Sequence, residues 1–231
     1  MRRPLGASPV RRSALPRLQR WIKDPFPALS HVVGAMLSVV ALVVLLLHTH
    51  GRIRLIVGFA VYGASLIALY SASALAHGLH VSPKTSDRLD RFDYAAIFLL
   101  IAGTYTPLCL VTLRGPWGWS LLSVEWIMAT VGIVAVGFGR SGSDWFRVAI
   151  YCAMGWLALF AVGPLIAALP AWGIAWLAAG GACYSIGAVI FAFDRPHLWP
   201  GVFHAHDLWH VLVLGGSACH FLLVFNFVAL P

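Results

Sequence analysis

Long apolar runs separated by short polar stretches divide the chain from residue 28 onward. A helix needs about 20 apolar residues to cross the hydrocarbon core of a bilayer. Seven runs reach that length, at residues 28–47, 55–75, 94–113, 119–138, 148–168, 174–193 and 208–228. Turn-forming sequences such as RGPWG and GRSGSDW separate them. The pattern predicts an all-α bundle of seven transmembrane helices, with residues 28–231 forming one domain.

The composition agrees with this prediction. Of the 231 residues, 60% are hydrophobic and only 10% are charged, which is more apolar surface than a water-soluble core of ordinary composition can bury. We therefore expect a multi-pass protein of the cell membrane. Disulfides are not expected, because the cysteines lie within predicted spans and lack paired spacing; they are Cys109, Cys152, Cys183 and Cys219.

Positive charge is distributed unevenly along the chain. Residues 1–27 hold seven of the sixteen Lys and Arg residues and predict a basic, loosely ordered arm at an anionic membrane surface. If the N-terminus is cytoplasmic, the cytoplasmic segments hold thirteen of the sixteen. The positive-inside rule therefore predicts a cytoplasmic N-terminus and an external C-terminus. The net charge of +8 then reflects topology, and we expect no nucleic-acid partner.

Polar groups from three remote segments are predicted to reach one depth at the cytoplasmic end. Ser73 and His77 are four residues apart, so they share a helix face at the end of span two. Asp93 opens span three, and His206 and His210 share a face at the start of span seven. Ionisable groups near a span need partners and are functional candidates.

Three histidines and a carboxylate favour zinc as the metal. A histidine pair four residues apart can supply two ligands, and His77 can supply a third, which leaves the fourth position for water. Haem is disfavoured because its axial ligands come from opposite sides of the ring, whereas His206 and His210 would crowd one side. For a lone HxxxH sequence, an interfacial pair is the alternative; the convergence of three segments favours metal.

Other histidines leave alternatives open. His80 and His204 can compete as ligands, and the choice between His204 and His206 rests on the four-residue spacing. His31, near the start of span one, is either a partner of the site or an interfacial histidine, and we favour the latter. His220 lies about 15 Å beyond His210 along the helix, too far to join the same ion.

Two further features are expected to be structural. Glu125 is the acidic residue deep in a span, and we interpret it as a packed or snorkelling carboxylate near the outer interface. Pro107 and Pro164 are expected to kink spans three and five.

The segments SALAH, FDYAAIFLLIAGTYTPL and FHAHDLWHVLVLGGSACHF together resemble the hemolysin III family. This family is the bacterial branch of the progestin and adiponectin receptor group, which in turn resembles the alkaline ceramidases. The resemblance covers the chain from about residue 28 to its end. It implies that zinc is bound by His77, His206 and His210, that Asp93 reaches the ion through water, and that Ser73 sits beside the site.

The same resemblance implies a function. It suggests a zinc-dependent hydrolase of amide- or ester-linked acyl chains, with a membrane lipid as substrate. The group of residues itself motivates the hypothesis that Asp93 is the general base and that Ser73 donates a hydrogen bond to the water or the developing oxyanion. A receptor-like sensor of membrane lipid composition, with structural zinc, is the second hypothesis. A cytolysin is disfavoured because spans one, five and six lack the polar stripe that a water-filled pore requires.

Overall fold

The computed structural model describes residues 18–139, 143–196, 198–199 and 202–229. Seven helical segments in it are long and apolar enough to cross a membrane: Pro25–Leu47, Ile53–Gly78, Pro83–Leu113, Gly115–Gly137, Trp145–Ala168, Ala171–Phe193 and Ala205–Ala229. We call them spans one to seven. The prediction of an all-α, seven-span membrane bundle is confirmed. The first seventeen residues of the predicted basic arm lie outside the described residues.

Every span begins earlier than its apolar run, and span three differs most. It begins at Pro83 and not near residue 94, so the charged stretch before Asp93 is helical. Ser82 caps this helix, with its hydroxyl oxygen accepting a hydrogen bond from the Thr85 N–H at 3.4 Å. Pro83 takes the first helical position, where its missing N–H costs nothing. Asp93 therefore lies on a regular helix three turns from its start.

Two spans depart from α-helical geometry near a proline. Span three continues past Pro107 as a π-helix, Leu108–Leu113. Span five is an α-helix, Asp144–Gly155, then a 3-10 helix, Leu157–Ala161, then the α-helix Val162–Ala168, which contains Pro164. Proline lacks the N–H that would close a regular turn. Both irregular segments contribute side chains to the wall of an interior cavity.

Small residues let the first three spans pack closely. A side-chain carbon added at Gly63 would lie 2.6 Å from Leu42 of span one, and one added at Gly103 would overlap Ser65 of span two. Spans six and seven also pack along much of their length, whereas span five packs only loosely against its neighbours. The cavity occupies the space that this uneven packing leaves.

The segment before span one is attached to the end of span two. The Asp24 N–H donates to the His77 carbonyl at 2.8 Å, and the Lys23 N–H donates to the Gly78 carbonyl at 3.3 Å. The Lys23 ammonium adds a bond to the Ala76 carbonyl at 3.1 Å. These bonds hold the start of span one beside His77.

Candidate metal centre

Three histidines from two spans converge at one end of the bundle. His77 comes from the last turn of span two, and His206 and His210 come from the first turns of span seven. One ring nitrogen from each lies within 4.8 Å of the others. The centroid of the His77 ring lies 5.0 Å from the centroid of the His206 ring and 4.9 Å from that of the His210 ring. The pair His206 and His210, which the four-residue spacing predicted, is therefore close to His77 in space.

The separation of these nitrogens suits a small tetrahedral metal ion. With zinc–nitrogen bonds of about 2.0 to 2.1 Å, two ligand nitrogens stand roughly 3.3 Å apart. The Nε2 atoms of His206 and His210 are 3.0 Å apart, and the full set spans at most 4.8 Å. These values bracket the ideal separation, so the donor set fits zinc with small side-chain adjustments.

A carboxylate that the sequence analysis missed orients His77. The Asp24 Oδ2 atom lies 3.1 Å from His77 Nδ1. Because Nδ1 donates this bond, the lone pair of Nε2 is left for a metal, as in the carboxylate–histidine pairs of many zinc sites. Burial of Asp24 works to raise its pKa, but the hydrogen bond and charge of His77, with Lys23, hold the pKa below its usual value. Asp24 therefore faces His77 as a carboxylate.

His31 orients the second ligand candidate, His210, so our interfacial assignment for His31 is wrong. Its side chain is buried, and its Nε2 atom lies 2.9 Å from His210 Nδ1. That contact leaves His210 Nε2 facing His206. Asp24 and His31 are seven residues apart and share a face of the chain entering span one. This spacing is the sequence signal that could have identified them together.

The third ligand candidate is less constrained. His206 is enclosed by His77, His210 and Phe191 of span six. Its Nδ1 atom is buried and has no hydrogen-bond partner among the described residues. Its orientation therefore depends on ring packing.

Asp93 and Ser73 stand next to the histidines. The Asp93 Oδ2 atom lies 3.8 Å from His77 Nε2, and Ser73 lies beside Asp93, one helical turn before His77. Ser73 is buried, and Asp93 is near the cavity end of the cluster. At this distance Asp93 borders the cluster, but it does not belong to the group of residues that could hold an ion.

The two competing histidines lie apart from the cluster. The backbone N–H of His204 donates to Asp207 Oδ2 at 2.7 Å, so this residue caps span seven. His80 Nε2 is bonded to the Gln19 carbonyl at 2.9 Å, on the exposed side of the N-terminal segment. Neither belongs to the group of residues placed to hold an ion.

The cluster forms one end of a large cavity. The cavity has a volume of about 1060 Å³ and is lined mainly by apolar side chains, so it is as large as the largest typical small-molecule sites. It reaches from His210 past Val213 to His220, about 15 Å along span seven. A polar group at the histidines can thus be followed by a long apolar chain in the interior.

Glu125 does not lie near an interface. It is fully buried, about 15 Å along span four from Gly115, and both carboxylate oxygens lack hydrogen-bond partners among the described residues. The side chain is packed, as expected, but it is too deep in the bundle for its carboxylate to reach the membrane interface. It does not line the cavity.

Fold and site together define a class: seven-span helical membrane proteins with a three-histidine cluster at one end. The model of the family described as "Haemolysin-III related" matches residues 19–221. Hemolysin-3 of Bacillus cereus is 41% identical over 215 residues, covering 92% of this chain and 95% of that protein. The Hemolysin-3 homolog of Bacillus subtilis (strain 168) is 39% identical over 199 residues, covering 85% and 90%. The chain belongs to the haemolysin III family and is a multi-pass protein of the cell membrane.

Proposed function

We propose that this protein is a zinc-dependent hydrolase that cleaves amide or ester bonds of membrane lipids at the cytoplasmic leaflet. One observation carries the proposal: His77, His206 and His210 converge beside Asp93, at the end of an apolar cavity. A metal, a base and a space for an acyl chain are the parts that such a reaction requires.

The metal would be held by the Nε2 atoms of the three histidines. Asp24 and His31 support this role, because each occupies the Nδ1 atom of a ligand ring and leaves its Nε2 atom free. When bound, zinc supplies a Lewis acid that polarises a carbonyl and makes water more acidic.

Asp93 is the proposed general base. Its carboxylate takes a proton from the attacking water as the water oxygen bonds to the acyl carbonyl carbon. The same proton then passes to the leaving nitrogen or oxygen as its bond to the acyl carbon breaks. Ser73, which lies beside Asp93, would donate a hydrogen bond that holds the carboxylate in position for both transfers.

The cavity supports a lipid as the substrate. Apolar residues line it beyond the histidines, so burying an acyl chain there is favourable in the same way as burying core side chains. The reacting bond would then lie at the polar end, at the leaflet that the positive-inside rule assigns to the cytoplasm.

Elemental analysis of the purified protein tests the metal. We expect about one zinc per chain, lost in His77→Ala, His206→Ala and His210→Ala and kept in His204→Ala, which changes a neighbouring histidine outside the cluster. Zinc that survives all three ligand changes, or a protein that binds none when zinc is supplied, contradicts the proposed centre.

Turnover requires a separate test. Zinc-loaded protein in lipid vesicles is incubated with a panel of ceramides, phospholipids and acyl esters, and released fatty acid is measured. Release that depends on Asp93 supports the hydrolase. A zinc-loaded protein that releases no fatty acid from any member of the panel contradicts it.

A receptor-like sensor of lipid composition is the second candidate. It is favoured by the way the cluster joins span one, through Asp24 and His31, to spans two and seven. Zinc would then have a structural role, and we expect ligand variants to alter membrane acyl-chain saturation in cells without any hydrolysis in vitro. The relatives are named hemolysins; release of dye from intact liposomes by the purified protein would favour that third function.

A further inference from the structure

The wall of the cavity is thinnest between spans five and six. Trp156, Leu159 and Val162 of span five line the cavity, yet they are 48%, 56% and 47% exposed on the surface of the chain. Ala178 of span six also lines the cavity and is exposed. By contrast, Leu69, which span two contributes to the same cavity, is buried. Residues that face both a cavity and the outside stand where the wall is at most one side chain thick.

The thin wall follows from the irregular helix of span five. The first part of this span contacts span six, whereas the backbone of the 3-10 segment Leu157–Ala161 stands apart from it. Tyr105 of span three stabilises the change of helix type. Its hydroxyl donates to the Gly155 carbonyl at 2.8 Å and accepts from the Ala158 N–H at 2.9 Å. These bonds satisfy backbone groups that a regular helix would have paired, so the gap is a stable part of the fold.

A hydrogen bond between side chains crosses this gap. The Trp156 Nε1–H of span five donates to Ser185 Oγ of span six at 3.1 Å. The Ser185 hydroxyl itself donates to the Gly181 carbonyl at 2.7 Å, which fixes its oxygen as the acceptor for Trp156. If the bond opens in hydrocarbon, the indole N–H finds no water to replace Ser185. The closed arrangement is therefore favoured, but only by the modest free energy of one interhelical hydrogen bond.

The depth and chemistry of the gap indicate what can pass through it. Ser185 lies six residues before Phe191, whose ring centroid is 5.8 Å from that of His206. Six helical residues rise about 9 Å, so the gap lies deeper than the histidine cluster, within the roughly 15 Å of hydrocarbon that one leaflet supplies. The neighbouring Leu159 and Val162 are apolar. A lipid headgroup would lose its hydration there at a high cost, whereas an acyl chain already lies in hydrocarbon.

We propose that the hydrogen bond between Trp156 and Ser185 is a latch across a side opening, and that an acyl chain passes through this opening between the bilayer and the cavity. The side opening is bordered by Leu159, Val162 and Ala178 as well as by the latch. The polar end of the lipid stays at the level of the histidine cluster while its chain moves sideways. The proposal rests on the proposed function for placing an acyl chain in the cavity, but the latch itself can be tested without turnover.

The test measures how fast a chain leaves the cavity. The probe is a free fatty acid with a photoreactive diazirine near its methyl end, which has no amide or ester bond to hydrolyse. Zinc-loaded full-length protein in vesicles is loaded with the probe, diluted into an excess of probe-free vesicles and irradiated at intervals. Mass spectrometry then measures labelling of buried cavity residues such as Leu100 and Val213. The decay of this interior label gives the exit rate.

Four variants test the latch and the opening. Trp156→Phe and Ser185→Ala each remove the hydrogen bond and keep most of the packing, so exit should become about two- to tenfold faster. Ala178→Trp fills the side opening and should slow exit. Ala182→Trp is the matched control, because Ala182 is an exposed alanine of the same span that is not among the cavity residues; it should leave the exit rate unchanged. Thermal unfolding confirms that each variant is folded.

The outcomes separate this proposal from the proposed function. Exit rates that are the same in all variants, or that slow equally in Ala178→Trp and Ala182→Trp, overturn the side opening and leave the hydrolase intact. The chain would then use the cytoplasmic end of the cavity. A lack of interior label in the unaltered protein overturns the opening and also removes the acyl chain from the proposed function. The expected rates without any lipid hydrolysis support the opening while the hydrolase fails.

Discussion

The histidine cluster and Glu125 both bury ionisable side chains inside the bundle, but they differ in how those side chains are paired. At the cluster, Asp24 meets His77 and His31 meets His210. Glu125 has no hydrogen-bond partner among the described residues for either oxygen. Partners fix which atom of a ring is free, so the first arrangement prepares ligands for an ion. The second prepares none.

The largest expected effect concerns the base of the paired site. Asp93→Asn keeps the size of the side chain but removes its capacity to take a proton, so we expect hydrolysis to fall about 100- to 10,000-fold with the zinc content unchanged. Fatty-acid release and elemental analysis on the same preparation check this. Full activity in the variant would mean that another group is the base. Loss of zinc would mean that Asp93 is itself a metal ligand.

A smaller effect is expected from the residues that orient the ligands. Asp24→Asn and His31→Phe should each weaken zinc affinity about 10- to 100-fold without abolishing binding, measured by competition with a chelator. His80→Ala is the matched control, since His80 is bonded to the same N-terminal segment but lies outside the cluster. If His80→Ala weakens zinc affinity as much as Asp24→Asn and His31→Phe do, the effect comes from disturbing the whole N-terminal segment. Pairing of the ring nitrogens would then not explain the difference between the histidine cluster and Glu125.

The smallest effect is expected at the unpaired site. An ionised carboxylate without a partner is very costly to bury, whereas a neutral carboxyl costs far less, about as much as the neutral amide that would replace it. Glu125→Gln should therefore leave the melting temperature and zinc content almost unchanged. A large fall in melting temperature would show that Glu125 is ionised and paired with a bound cation, which would make the two sites alike.

Hydropathy alone predicted the seven spans, because a bilayer requires long apolar helices whatever their packing. It missed the polar helical starts. The charged residues after Pro83 read as a loop, yet a serine cap and a proline at the first position begin the helix there. The sequence therefore predicts the middle of each span better than the residues at which the span begins.

The sequence predicted those neighbouring pairs of candidate site residues that lie four residues apart in one helix. His206 and His210 follow from a four-residue spacing, and Ser73 with His77 from another. Asp24 and His31 were missed because their roles depend on how span one packs against spans two and seven. Glu125 was placed too near the interface because its helix begins at Gly115, four residues before the apolar run.

The attachment of the N-terminal segment to span two has a practical consequence for purification. Truncations that remove Lys23 and Asp24 would delete the bonds to the end of span two, and a polyhistidine tag fused there would place competing imidazoles beside the native ones. A tag at the opposite terminus, removed before metal is counted, avoids both errors. A missing or excess zinc ion could otherwise be a product of the cloning strategy.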